Sequence, residues 1–276
     1  MKIAISIDSA CDMPKEIIEK NNIYTIPYYV IMGETEHKDG EIDSSSLFAF
    51  VKENGTLPKT GAPNDEMFRE YFKDILKTHD AVIHFSLSSK MTSACDSAIK
   101  GAKGLNVSVI DSHHLSSGIA ILVLQCLEML KAKMDLEQIV EKINAMRDRV
   151  QTSFLVDTLK YLYKGGRCSS LAMLSAKLLM IKPKISVIDG EMKVTKKYMG
   201  GINGCLMKYV EDCLKQNNPD TSVVFVTHSS PMPISEKICN RLKEYGFKQV
   251  YDCNASSTIS THCGPGTLGI LFLNKE

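Results

Sequence analysis

The chain has no tryptophan among its 276 residues and no Cys-x-x-Cys pair among its nine cysteines. The cysteines are odd in number and scattered, at positions 11, 95, 126, 168, 205, 213, 239, 253 and 263. That excludes a closed disulfide framework and a thiolate zinc site, and fits reduced thiols packed as small core residues. An excess of charge is also missing. Thirty-three Lys and Arg oppose 32 Asp and Glu, a net charge of +1, so nothing electrostatic points to nucleic acid. No apolar run reaches the ~20 residues of a membrane span. The best, residues 118–130, is too short and is interrupted by Gln125 and Glu128. The opening Lys2-Ile3-Ala4-Ile5-Ser6-Ile7-Asp8 reads as a strand rather than a signal peptide, and a cytoplasmic location is expected.

Several chemical signatures are absent as well. There is no Gly-x-x-x-x-Gly-Lys-Ser/Thr phosphate loop, and Gly264-Pro265-Gly266 precedes a strand where such a loop precedes a helix. Without Gly-x-Ser-x-Gly a serine hydrolase has no nucleophile elbow. His84 and the pair His113-His114 lack metal-ligand spacing with acidic or thiol partners. No metal and no cofactor are assigned.

What is present is ordinary globular composition, 44% hydrophobic and 24% charged, which argues against disorder. Apolar strands and amphipathic helices alternate through the first half. Residues 3–9, 81–87 and 107–112 are strands that end in polar residues, with helices after each. This predicts an α/β fold: an N-terminal, mostly parallel sheet flanked by helices. Residues 24–32 read as one further strand, and Asp12 as a cap for the helix opened by Pro14. Ligands in such sheets bind beyond the carboxyl ends of the strands. Asp8-Ser9, residues 86–93 and Asp111-Ser112 should therefore meet at one edge.

After about residue 150 the pattern changes to a hairpin around Asp189-Gly190, with helices at 170–180, 203–216 and 233–244. A C-terminal α+β domain with a mixed or antiparallel sheet is expected over 151–276, following an N-terminal domain over 1–150. The tail, Thr261 to Gly269, is expected as a glycine-rich, extended connection into the last strand. In extended chain His262 and Cys263 point to opposite faces, which argues against a thiol pair.

Four clusters could carry chemistry: residues 60–64, 88–97, 164–167 and the tail. Hydroxyls and free amides at a helix N-terminus form an anion site without formal charge, suited to a carboxylate. An Arg and a His on glycine-rich loops suit a phosphate or acyl phosphate. Two readings follow from the residues alone, a binding protein for a carboxylate and a stand-alone enzyme on a small anionic substrate using His262 and Arg167.

In order and spacing these segments resemble the DegV family of fatty-acid-binding proteins, which includes the lipid-carrying subunits of bacterial fatty acid kinase. The resemblance rests on Asp8-Ser9, Thr60-Gly61-Ala62-Pro63, Ser88 to Ala98, Val109 to Ser112, Leu159 to Arg167, and His262 to Gly266. It implies a long-chain fatty acid enclosed in an apolar tunnel between the two domains, near residues 119–130 and 171–181. Its carboxylate would be held at Thr60 and Thr92, with Gly61 and Ser93 beside them and Arg167 and His262 near. It further implies a separate ATP-dependent kinase subunit that forms the acyl phosphate with help from His262 and Arg167, and a transient membrane contact. Within the second motif Thr92-Ser93-Ala94 stands where the family has Ser-Gly-Thr, so a hydroxyl is kept at 92 and the glycine is lost.

Overall fold

The computed structural model describes residues 1–167 and 181–276. The helix expected at 170–180 lies outside the described residues. The N-terminal part runs β1 (Ile3–Asp8), α1 (Lys15–Lys20), β2 (Tyr24–Ile26), β3 (Tyr29–Met32), β4 (Thr35–Lys38), α2 (Ser44–Asn54), β5 (Lys59–Gly61) and α3 (Asp65–Leu76). It continues with β6 (Ala81–Ser86), α4 (Ala94–Ala102), β7 (Val107–Asp111), α5 (Ser117–Lys131) and α6 (Leu136–Met146). Strands β2-β1-β6-β7 form a parallel sheet. All six residues of β6 are buried, as befits a strand covered by helices on both faces.

The C-terminal part runs β8 (Val150–Leu155), α7 (Lys160–Lys164), β9 (Ile181–Ile188), β10 (Glu191–Met199), α8 (Ile202–Gln216) and β11 (Pro219–His228). Then follow α9 (Ile234–Tyr245), β12 (Gln249–Asn254), α10 (Ser257–Cys263) and β13 (Leu268–Asn274). Its six-stranded sheet, β10-β9-β8-β13-β11-β12, is antiparallel except for β11 with β12. The mixed sheet is as expected. Helix α5 lies between the two sheets, with Ile119, Ile121 and Leu122 fully buried in the cluster that joins them.

Three expectations are corrected. The run 24–32 is not one strand. Pro27 interrupts it, so β2 stays in the parallel sheet while β3 turns into a small sheet, β4-β3-β5, that the sequence did not foretell. Proline lacks the N–H a ladder needs, and this one marks the corner. Asp12 does not cap α1, whose N-cap is Pro14 with no side-chain bond. Asp12 instead accepts from Ser116 Oγ and from the backbone N–H of Ser256 at 2.8 Å. The tail is not extended throughout. Residues 257–263 form α10, capped by Ser256 Oγ accepting from Ile259 N.

Two carboxylates of the N-terminal half anchor the start of that helix. Besides Asp12, Asp39 accepts from Ser257 Oγ at 2.6 Å and Thr258 N at 3.1 Å, and its other oxygen accepts from Ser9. Negative charge is favourable at a helix start, where free N–H groups point outward. The last turn of α10 is thereby held over the edge of the N-terminal sheet.

Two buried groups should give stability a readable pH dependence. Burial lowers His114 to about 4, against a bond to the Arg147 carbonyl that raises it. The unfolded chain takes up that proton near pH 6.5 and the native one only near 4. Stability from this group is full above 6.5 and falls as pH drops through the window, by about 3 kcal/mol in all. Asp12 acts with opposite sign: burial raises it to about 7, so its contribution is full below pH 4 and fades as pH rises to 7. The expected signature is therefore a difference. His114→Gln keeps a donor for Arg147 O and should gain on wild type progressively below pH 6.5 in urea melts, and a constant difference from pH 8 to 4.5 would refute it.

Candidate functional site

Segments from four places in the chain meet at the carboxyl edge of the parallel sheet. Thr60 sits on β5, opposite Val30 of β3. Thr92 and Ser93 precede α4, and Arg167 follows α7. His262 occupies the last turn of α10. They line one cavity of about 160 Å³, together with Gly61, Ala62, Tyr28 and apolar groups. The two ends of the chain's functional segments touch directly: Thr60 Oγ1 lies 2.8 Å from His262 Nε2, 202 residues away. The expected gathering of polar strand ends also occurs. Ser86 Oγ donates to Asp8 at 3.0 Å and Ser89 Oγ to Asp111 at 2.5 Å.

His262 is placed by two close approaches. A Cβ on Gly165 would lie 2.5 Å from His262 Nδ1, so only glycine lets the imidazole seat against α7. Nδ1 is buried and has no hydrogen-bond partner among the described residues. Burial, and then the Arg167 charge, push His262 down to about 4. It is neutral at pH 7 and serves there as a hydrogen-bonding group or base, not as a proton donor with a full charge. Arg167 is exposed, and its Nη1 donates to the Gly165 carbonyl at 2.7 Å.

Thr92 Oγ1 accepts from Ala94 N at 3.2 Å. It does the capping that Ser93, in helical φ/ψ and without a side-chain cap bond, does not. Both hydroxyls at 92 and 93 border the cavity despite the missing glycine.

The helical tail overturns the opposite-faces reading of His262 and Cys263. Successive helical residues are turned by about 100°, and both side chains line the cavity. Thiol chemistry is not revived, because burial raises Cys263 to about 12. The eight described cysteines are free and buried, and no group of three metal-ligating side chains exists among the described residues.

The site also holds residues the sequence did not single out. Tyr28 hangs beneath it, its hydroxyl donating to Asp8 Oδ2 at 3.0 Å. Asp8 also accepts from Leu87 N at 2.7 Å, and faces His84 Nε2 at 3.3 Å with both side chains fully buried. Pro27 breaking an apolar run was the one available sign that Tyr28 leaves the sheet.

The floor of the cavity is apolar. Leu115, Ile259 and Cys263 border both it and an inner chamber of about 20 Å³ that reaches Phe154, Gly269 and Leu271. Hydroxyls around that chamber are spent internally: Ser117 meets Thr227, Ser229 donates to Gly264 O, and Thr267 to Cys263 O. What faces inward is hydrocarbon. The two cavities share Leu115, Ile259 and Cys263 in their walls and so lie in series, with these side chains between them. A larger cleft of about 420 Å³ is lined by Gln151 and Thr152 of β8, Lys184 and Ser186 of β9, and Thr195 and Lys196 of β10, and is mostly polar.

An α/β protein with two main sheets, an apolar-floored cavity and a mouth of hydroxyls, one imidazole and one arginine is the class these features define. The family model of the DegV proteins matches residues 2–275. The chain belongs to the DegV family. A DegV domain-containing protein of Caldanaerobacter subterraneus is 30% identical over 99% of both chains. The solved structure of DegV of Bacillus subtilis, described as a fatty acid binding protein, is 28% identical, covers 100% of both chains and superposes with a TM-score of 0.85. A DegV family protein of Thermus thermophilus, solved for its fatty acid binding, shares the fold at a TM-score of 0.90 and 24% identity over 100% of both chains. Among the described residues no helix is long and apolar enough to cross a membrane.

Proposed function

We propose that this chain binds a long-chain fatty acid, its carboxyl group at Thr60 and Thr92 and its acyl chain directed through the neck at Ile259 into the inner chamber. The observation that carries the reading is the junction of an uncharged hydroxyl site with a hydrocarbon-lined chamber. The fatty acid binding described for the Bacillus subtilis relative supports it. Gly61 and Ser93 border the head group, and the site lies between an N-terminal unit, 1–150, and a C-terminal unit, 151–276. Burying ~14 methylenes contributes ~11 kcal/mol before ordering costs. Affinity therefore resides in the chain, and the hydroxyls orient the head group while offsetting its desolvation.

The protein then presents the carboxyl group, in the cytoplasm, to a separate ATP-dependent kinase subunit that makes the acyl phosphate, and loads or releases lipid in a transient membrane contact. His262 and Arg167 flank the exposed side of the cavity, where a phosphoryl group would arrive. Mass spectrometry of protein purified without added lipid should show a bound acid of about 14–18 carbons, the length that fits ~14 buried methylenes. Repeated recovery of empty protein that also takes up no acid on titration would overturn the proposal. His262→Ala should keep its lipid load and slow acyl-phosphate formation by about 100-fold with partner and ATP, the usual scale for a lost proton-transfer group. An unchanged rate would remove His262 from phosphoryl transfer and leave binding intact.

A further inference from the structure

We infer that the polar cleft bordered by β8, β9 and β10 is a second ligand site, for a phosphate ester that carries hydroxyl groups, with Lys184 as its buried counter-charge. It shares no lining residue with the cavity at Thr60 and His262, and it stands whether or not that cavity takes a fatty acid.

Charge carries the argument. Lys184 is 7% exposed and is in no ion pair among the described residues. Lys182, two places back, is similarly buried but rests on Asp157 at 2.6 Å. Lys184 faces Lys196 of β10 directly across the ladder, and like charges so placed repel. One carboxylate serves the two ammonium groups: Asp212 of α8 lies 2.6 Å from Lys196 Nζ and also accepts from Tyr198 Oη. Lys184 stands over the Tyr209 ring, 5.7 Å from its centroid, which offsets desolvation without neutralising the charge. A buried ammonium without a counter-ion is costly, and Lys184 lines the cleft.

The lysine pair exists because of one extra residue. The register of β9 with β10 shifts between Val194 and Lys196. Without the shift Thr195 would face Lys184. With it Lys196 does, and the Thr195 hydroxyl meets that of Ser186 at 2.7 Å. Bulges of this kind re-aim side chains and are enriched beside functional sites. The ladder between β8 and β9 also stops at Ser153 and Ser186, although β8 begins at Val150 and β9 runs to Ile188. At that unpaired end Gln151, Thr152 and Val187 line the cleft, and main-chain groups released from a ladder need partners.

The donors match a phosphate. Lys184 and Lys196 supply two. Ser186 and Thr195 share one hydrogen bond, so one of their two hydroxyl protons remains for a ligand. Three donors suit the three free oxygens of a phosphate monoester, one more than a carboxylate offers. No Asp or Glu lines the cleft to oppose an anion. Gln216 and Asn217, where α8 ends, add amides that donate and accept as alcohol groups require. A volume of about 420 Å³ falls in the range of small-molecule sites, and is more than a bare ion fills.

The test is calorimetric titration of the intact chain with glucose-6-phosphate, inorganic phosphate and glucose. The hexose phosphate should fill one site. Inorganic phosphate should bind at least about tenfold more weakly, the worth of one or two hydrogen bonds to the sugar hydroxyls, and glucose should give no binding heat. Lys184→Met keeps an unbranched stem and should weaken the hexose phosphate by about 10–100-fold, the scale of a lost charge-assisted bond. The same variant should melt higher than wild type without ligand, because an apolar side chain replaces an unpaired buried charge, and should keep whatever lipid wild type carries. Loss of binding would then not come from unfolding. A lower melting temperature would show the charge already compensated and overturn the inference. Equal binding of inorganic phosphate and hexose phosphate would mean an adventitious ion only, and overturns it too. So do unchanged binding in Lys184→Met and absence of binding to wild type at millimolar concentration. Binding to phosphatidylglycerol vesicles but not to the soluble ester would put the phosphate on a lipid surface and overturn the soluble ligand.

Discussion

Gly264→Ala is expected to lower the melting temperature by about 10 °C and to abolish lipid binding, although residue 264 donates no side chain to the site. Its backbone sits at φ 78° and ψ 170°, a region open in practice only to glycine, at about 1–3 kcal/mol for any other residue. A Cβ there would lie 2.4 Å from Cδ2 of the Tyr161 ring. That ring is held edge-on against Phe48 of α2 and cannot withdraw freely. Overpacking adds about 1–3 kcal/mol, and each kcal/mol shifts a protein of this size by about 2–4 °C. Relief would come by pushing α7 off the end of α10, which separates His262 from Gly165 and moves Leu162 and Arg167 away from the cavity. The two contributions can be parted by Gly264→Ala combined with Tyr161→Leu. Removing the ring should restore about half of the lost stability, the share due to overlap, and leave the backbone share. Full recovery in the double variant, or no loss in the single one, would show that the conformation at 264 does not constrain the α7–α10 contact.

The same residue illustrates how far sequence could reach. Gly264, Gly266 and Gly269 beside His262 announced a close approach of backbone to something, and the structure supplies what: the Tyr161 ring, Asp157 and the Ser153 carbonyl. Those partners are distant in sequence, and no local pattern names them. Alternation of strand and helix made the parallel sheet legible, because each buried strand is a short apolar run ended by polar residues. Helix α10 was hidden by composition. Ser256-Ser257-Thr258 and Ser260-Thr261 are poor helix formers taken alone, and the turn is held by Asp12 and Asp39 from the other half of the chain. Tertiary anchoring overrode local propensity there. Thr60, Thr92, Arg167 and His262 stand out in the sequence as one group of candidates, and the structure brings them to one cavity. That Thr60 and His262 share a hydrogen bond was not legible, and Tyr28 with Asp8 was invisible because a buried tyrosine after proline looks like core.

Ile259→Trp should separate the two chambers and thereby split head-group recognition from chain binding. Ile259 packs against the central core cluster and borders both the outer cavity and the inner chamber, alongside Leu115 and Cys263. An indole at this neck extends into existing space, so the fold should tolerate it better than the 1–3 kcal/mol of a filled core, and melting should move by only a few degrees. A long acyl chain, in contrast, loses its route. Each methylene kept from passing the neck forfeits about 0.8 kcal/mol, about fourfold in affinity, so a hexadecanoic acid should weaken steeply with the number excluded. An eight-carbon acid reaches no further than the outer cavity and should bind Ile259→Trp and wild type alike, within a few fold. The comparison of the two chain lengths in one titration series is what discriminates. Equal loss for both acids would mean the substitution had damaged the hydroxyl site, and retention of the long acid would place the acyl chain somewhere other than the passage beneath Thr60 and His262.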